Sequence, residues 1–258
     1  MDDNFLNTIF NLKGKVVVVT GACGQLGKSM CEFFKKSGAI VLGLDMKIPI
    51  GENVASEYME LDIREGHNVK AILSKVFKKY GQLDVLVNNA GVSTFEPFEE
   101  RPEEQFDWVM DVNLKGTFNC IQKYVDLYDQ FQQKNGVIIN IASMYGMISP
   151  DFRIYTDCNR KNSEVYGATK AGVIQMSKYF AVHLADRNIR CNTVSPGGVF
   201  NPENPQGEGF LANYAHRCPM KRMANADEIA GAVLYLAGDL ATYTTGQNLA
   251  VDGGMTSW

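Results

Sequence analysis

Residues 13–38 read K-G-K-V-V-V-V-T-G-A-C-G-Q-L-G-K-S-M-C-E-F-F-K-K-S-G. The four consecutive valines behind Gly14 have the pattern of a strand buried on both faces of a parallel sheet. They run into a glycine-rich turn, after which Met30, Phe33 and Phe34 recur at helical spacing. Gly21, Gly24 and Gly27 let the backbone turn sharply and approach a pyrophosphate, and a helix starting near Gln25 and Leu26 offers free N–H groups and a partial positive charge. Strand, glycine turn and helix form the context a dinucleotide site needs, with a purely structural turn as the alternative.

The next stretch, A-I-V-L-G-L-D (39–45), is a second apolar strand, ending on an acid about twenty residues past the glycine loop. In a dinucleotide fold the Asp45 carboxylate accepts hydrogen bonds from the adenosine ribose hydroxyls and repels a 2′-phosphate. Neither the loop nor Met46 supplies an arginine, so NAD is expected over NADP, with Lys47 the residue that can soften the choice. A solvated strand-end aspartate is the bland alternative. Glu60 to Ile63 form a short strand end, and residues 66–80 read as an amphipathic helix. Then G-Q-L-D-V-L-V-N-N-A-G (81–91) gives a fourth buried strand that breaks into Asn88, Asn89, Ala90 and Gly91, small enough to admit a flat ligand.

The 258 residues are 45% apolar and 21% charged, an ordinary globular composition with no internal repeat or linker, so one domain over 1–258 is expected. A net charge of -4 gives no nucleic-acid footprint. The N-terminus M-D-D-N-F-L-N-T-I-F is acidic, unlike a signal peptide, and no apolar run approaches the ~20 residues of a membrane span. A cytoplasmic protein without membrane contact is therefore expected. Six scattered cysteines without a C-x-x-C pair read as reduced thiols, and three dispersed histidines leave no expected metal site.

Further on, G-V-I-I-N-I-A-S (136–143) is another doubly buried strand, and E-V-Y-G-A-T-K-A-G-V (164–173) puts Tyr166 and Lys170 on one helix face. A phenol beside an ammonium is a proton-transfer device. At about 4 Å and an effective dielectric of about 20, the charge contributes roughly 4 kcal/mol, drawing the phenol down towards working pH before burial opposes it.

With the T-G-A-C-G-Q-L-G loop, D-I at 62–63, N-N-A-G at 88–91 and Y-x-x-x-K at 166–170 in this order, the chain from about Leu12 onwards resembles the short-chain dehydrogenase/reductase family. That resemblance implies an α/β, Rossmann-type doubly wound, mainly parallel seven-stranded sheet with helices on both faces. It implies that Asp62, with Ile63, meets the adenine, and that Asn89, Ala90 and Gly91 wall the cofactor. Around the nicotinamide it places Pro196, Gly197, Val199 and Asn201, although the family commonly has threonine where Asn201 stands. Asn113, Ser143, Tyr166 and Lys170 align with its catalytic residues. Asn113 kinks a helix and holds a relay water, Ser143 orients the substrate oxygen, Tyr166 carries the proton, and Lys170 lowers the tyrosine pKa and holds the nicotinamide ribose. A homo-oligomer, dimer or tetramer, is implied as well. I-A-S-M-Y lacks the glycines of a hydrolase elbow.

One departure stands out. Ser143 and Tyr166 are 23 residues apart where the family has about a dozen, so residues 147–165 read as an insertion. Tyr155 lies nearly at the ordinary distance, but its i+4 partner is Asn159, which carries no charge, so Tyr166 is preferred. The insertion either shapes the substrate pocket, with Arg153, Arg160 and Lys161 reaching an anion, or is a solvated loop or subunit contact. Residues 200–221 read as a substrate lid. Trp258 is either a buried anchor or a pocket residue.

The expected activity is an NAD(H)-dependent alcohol/ketone oxidoreductase acting on a small molecule. The insertion, the P-G-G-V-F-N turn and the D-G-G-M-T-S-W tail also resemble bacterial members linked to surface-carbohydrate and flagellin-glycan biosynthesis, which implies a sugar or nucleotide-sugar substrate. The rivals are an NADPH-dependent 3-oxoacyl-thioester reductase, disfavoured by Asp45, and a catalytically silent NAD-binding regulator, disfavoured by the presence of all four catalytic residues.

Overall fold

The computed structural model describes residues 10–48, 54–157 and 160–258. The N-terminal reading over residues 1–9, Cys158 and the comparison of Tyr155 with Asn159 lie outside the described residues. The four valines fall in β1 (Val16–Thr20), which is buried throughout. Val16 and Val18 enter the core on one face of the sheet and Val17 and Val19 on the other, as the two-residue period of a strand requires.

Six more strands join β1: β2 (Ile40–Asp45), β3 (Glu57–Glu60), β4 (Val85–Asn88), β5 (Gly136–Ile141), β6 (Ile189–Pro196) and β7 (Asn248–Val251). The order across the sheet is β3-β2-β1-β4-β5-β6-β7, and every pairing is parallel. The expected mainly parallel seven-stranded sheet is thus wholly parallel. β3 stops at Glu60, ahead of the expected strand end at Ile63.

Helices cover both faces. α1 (Gln25–Lys36) lies on one face, and α2 (Gly66–Tyr80), whose bounds match the expected helix, on the other. The next helix is broken into α3 (Glu103–Met110), a π-helical turn (Asp111–Gly116) and α4 (Thr117–Gln130). α5 (Glu164–His183), α6 (Glu208–Arg217) and α7 (Ala226–Ala237) follow. Val69, Leu73 and Phe77 of α2 and Ile121, Tyr124 and Leu127 of α4 fill one core layer. Met30 and Phe34 of α1 and Ile229, Val233 and Leu236 of α7 fill the other. None of the described helices is long and apolar enough to cross a membrane.

β1 lies between β2 and β4, so the chain winds away from it in both directions and leaves a crevice at the carboxyl ends of the strands. A ligand site belongs there.

The described part of the insertion is held to the rest of the protein at several points. Asp151 accepts the Arg153 N–H and pairs with Arg153 and Arg217. Asp157 accepts the Phe210 N–H at 3.0 Å near the start of α6, and Thr156 accepts from Asn213 at 2.8 Å. Tyr155 packs on Phe210, with ring centroids 5.2 Å apart. Ile154, Phe210, Tyr214 and Met255 share a small separate core, so the insertion around Ile154 packs with α6 and the C-terminal tail. Trp258 itself is 68% exposed, its ring against the Arg217 guanidinium, so it is not a buried anchor.

Candidate active site

A cleft of about 830 Å³ opens at the carboxyl ends of the strands. Gly21, Gly24, Gln25, Leu26, Asp45, Asp62, Ile63, Asn89, Ala90, Gly91, Ser143, Tyr166, Lys170, Pro196, Gly197 and Val199 all line it. Two expected residues stand elsewhere. Asn113 sits behind Gly91, where a Cβ would come within 3.3 Å of its Oδ1. Asn201 is absent from the lining, and its Oδ1 accepts the Glu203 N–H at 3.0 Å, closing a local turn.

The glycine loop is shaped by close approach. Gly21 has φ +64, and a Cβ there would fall 2.7 Å from the Ala90 backbone, so only glycine lets the loop lie against the end of β4. Asn89 ties the two together, its Nδ2 donating to the carbonyls of Thr20 and Gly21 at 3.0 Å. α1 then begins at Gly24 with no side-chain cap and no acid in its first turn. Helix N–H groups without a built-in anion suit an external one. Gln25 donates to the Phe200 carbonyl at 2.5 Å, joining the glycine loop to the segment after β6.

At one end of the cleft, Asp45 accepts the Cys23 N–H at 2.9 Å. The Cys23 thiol is pushed up to about 11, first by burial and then by the neighbouring carboxylate. Asp62 is already engaged: the Arg64 guanidinium holds it at 2.6–3.1 Å and keeps its carboxyl below the usual range. An acceptor pair at one end, an uncapped helix start in the middle and small residues with a cation at the other match a dinucleotide in order, so the residues present fit a nicotinamide dinucleotide.

Chemistry gathers at the far end. Lys170 is buried and donates to the Ile141 carbonyl at 2.8 Å. Burial lowers its pKa to about 8. Its ammonium lies 5.6 Å from the centre of the Tyr166 ring. Burial raises the Tyr166 pKa, and a hydrogen bond from the Ser143 hydroxyl opposes the rise. The sequence expectation has the lysine charge pulling the phenol down. In the folded protein desolvation dominates instead, because both partners are taken out of water together.

Asn113 falls in the π-helical turn, where the expected kink lies. Its Oδ1 accepts the Val92 N–H at 2.8 Å and its Nδ2 donates to the Val92 carbonyl and to Thr169 on α5. The side chain therefore locks the segment after Gly91 to the helix that carries Tyr166. Ser163 caps that helix, accepting the Tyr166 N–H at 3.3 Å.

Four parts of the site were not singled out from the sequence. Phe95, Trp108 and Asn162 line the same cleft as Ser143 and Tyr166. Arg101, its side chain only 5% exposed, donates to Thr94, Glu96 and Glu164, joining the wall that holds Phe95 to the first residue of α5. The E-E-R-P-E-E run around Arg101 reads as surface charge, and only the fold shows that its one cation turns inward. Of the described residues of the insertion, Asn162 alone lines the cleft. Arg153 pairs with Asp151, while Arg160 and Lys161 lie over Phe95 and Phe152, and none of the three cations lines the cleft.

Comparison with known proteins agrees with this geometry over nearly the whole chain. A family model described as enoyl-(acyl carrier protein) reductase matches residues 21–256. The 3-oxoacyl-(acyl-carrier-protein) reductase FabG of Thermotoga maritima is 37% identical over 95% of this chain and 98% of its own. An NAD-dependent glycerol dehydrogenase of Listeria innocua is 32% identical over 96% of each. Among solved structures, a short chain dehydrogenase of Leptospira borgpetersenii with bound NAD+ superposes with a TM-score of 0.89 at 37% identity, covering 97% of this chain and 95% of its own. Sheet order, cleft and these full-length relatives together show that the chain is an oxidoreductase belonging to the short-chain dehydrogenase/reductase family.

Proposed function

We propose that the chain is an NAD(H)-dependent oxidoreductase that transfers a hydride between nicotinamide and a secondary alcohol or its ketone. The observation that carries the cofactor preference is Asp45 at the end of β2, lining the cleft where the adenosine ribose belongs. Its carboxylate can accept from two ribose hydroxyls and repels a 2′-phosphate. The NAD+ bound to the Leptospira relative and the NAD dependence of the Listeria glycerol dehydrogenase support the same reading.

A bound nicotinamide supplies the hydride acceptor; the chain supplies position and proton handling. In the oxidative direction the Tyr166 oxygen takes the hydroxyl proton of the substrate, and the Ser143 hydroxyl, already hydrogen-bonded to the phenol, orients the substrate oxygen. Lys170 holds positive charge beside the phenol as it ionises. Asn113 acts through position, keeping Val92 and Thr169 in place around Gly91 and the catalytic helix. In reduction the same groups return the proton.

A second reading, an NADPH-dependent 3-oxoacyl-thioester reductase, draws on the Thermotoga relative and on Lys47, a cation at the Asp45 end of the cleft. The deciding experiment offers NAD+ and NADP+ in parallel with simple secondary alcohols, polyols and aldoses, and NADH and NADPH with an acetoacetyl thioester. Turnover of alcohols with NAD+ is expected. A preference for NADPH with the thioester overturns the proposal in favour of the second reading, and no turnover at all overturns both.

A further inference from the structure

Four buried side-chain oxygens among the described residues have no hydrogen-bond partner: those of Asn88, Asn162, Thr193 and Gln206. Asn162 alone of these lines the cleft, which Ser143 and Tyr166 also line. An unpaired buried acceptor is costly and rare, and one on a residue that lines a ligand site marks a side chain whose hydrogen bonding a bound ligand can complete. We propose that Asn162 binds a second hydroxyl of the substrate, one that does not react, so that the site is built for a polyol or sugar rather than for a 3-oxoacyl thioester. This rests on the alcohol-oxidoreductase reading above.

The position is fixed by the fold. Asn162 immediately precedes Ser163, whose hydroxyl caps α5, and stands four residues before Tyr166. It is thus anchored to the same helix start as the phenol. The ligand chemistry follows from the amide. Rotating it by half a turn exchanges the acceptor for a donor, and a hydroxyl satisfies either orientation because it both donates and accepts. A 3-oxoacyl thioester carries only acceptor oxygens beside its reacting carbonyl and so has no donor for the unpaired Asn162 Oδ1.

The neighbouring surface suits a hydroxylated carbon skeleton. Phe95 and Trp108 line the same cleft and are 40% and 36% exposed, offering flat apolar faces to C–H groups. Both, with Ser93, also border a second hollow of about 580 Å³ that includes Glu96 and Gln105, polar groups with which a longer polyol can pair.

The test compares glycerol with 2-propanol, which share a secondary carbinol and differ in the flanking hydroxyls, using NAD+. The wild type is expected to favour glycerol in kcat/KM by at least tenfold, since a site that hydrogen-bonds a hydroxyl rejects the analogue lacking it. Asn162→Leu is expected to lower kcat/KM for glycerol at least tenfold, mainly through KM, and to bring the ratio towards one. Asn162→Ser gives the same comparison should the leucine variant fold poorly. A glycerol to 2-propanol ratio unchanged in the folded variants, or a wild type that favours the acetoacetyl thioester, overturns the inference. If no alcohol is turned over, the alcohol-oxidoreductase reading fails by itself, and calorimetric titration of D-glucose into the protein with NADH decides the Asn162 assignment. Binding weakened at least tenfold by Asn162→Leu upholds it. Equal binding, or none to the wild type, overturns it.

Discussion

The buried Lys170 ammonium donates to the carbonyl oxygen of Ile141 at 2.8 Å, pinning α5 to the end of β5. Burial lowers the lysine pKa from 10.5 to about 8. Between those values the folded protein binds fewer protons than the unfolded chain, so the free energy of unfolding rises with pH. The cost of burying the charge is fully present below about pH 8 and is relieved as pH approaches 10.5. The gap corresponds to roughly 3 kcal/mol. Lys170→Met lacks this rise. Denaturant unfolding of both proteins at pH 7.5, 8.5 and 9.5 checks it, and parallel pH profiles contradict the assignment.

Asp45 joins the cofactor cleft to the glycine loop through the Cys23 N–H. Asp45→Ala removes the repulsion of a 2′-phosphate together with the ribose acceptor. The expected outcome is weaker NAD binding and a shift of the NADP to NAD affinity ratio by at least tenfold, measured by fluorescence titration. A ratio that does not move shows that Asp45 is a solvated strand end.

Arg101 holds Glu96 of the substrate wall and Glu164 at the start of α5 with a side chain almost wholly buried. Arg101→Met leaves both carboxylates without their shared cation. Because the two acids are partly exposed, the expected loss of stability is about 1–3 kcal/mol, less than for a fully buried pair. KM for the alcohol should rise while the dissociation constant of NAD stays within about twofold. A matching loss in NAD affinity would place the effect elsewhere.

Asp157 accepts the Phe210 N–H in the first turn of α6. Its replacement by alanine removes a capping interaction of about 1 kcal/mol. Hydrogen exchange at Phe210 and Leu211 should quicken several-fold while β1 and β4 stay protected. Unchanged exchange means that the insertion does not brace α6.

What was legible in the sequence is what local chemistry decides. The valine run, the glycine turn and the Asp45 strand end each carry their meaning within a few residues, and the sheet follows from them. The pairing of Tyr166 with Lys170 is also local, a matter of helical spacing. The direction of the tyrosine pKa was not legible, because it depends on how much water the folded chain removes from both groups. Nor was Arg101, whose partners lie 5 and 63 residues away. The docking of residues 151–157 on α6 likewise needs two segments more than fifty residues apart to meet. Charge-rich loops look alike in sequence whether their ions face water or one another.

Tyr166 is buried, hydrogen-bonded to Ser143 and close to Lys170, whereas Tyr155 packs against α6, outside the cleft lining. General acid–base catalysis of this kind contributes typically ~10²–10⁴-fold. The most direct measurement is the rate of NAD+ reduction by the Tyr166→Phe protein against the wild type on one alcohol substrate, with Tyr155→Phe as the comparison. The expected result is a loss of at least about 100-fold for Tyr166→Phe and of less than about tenfold for Tyr155→Phe. Near-wild-type turnover by Tyr166→Phe would contradict the assignment of Tyr166 as the proton-transfer residue.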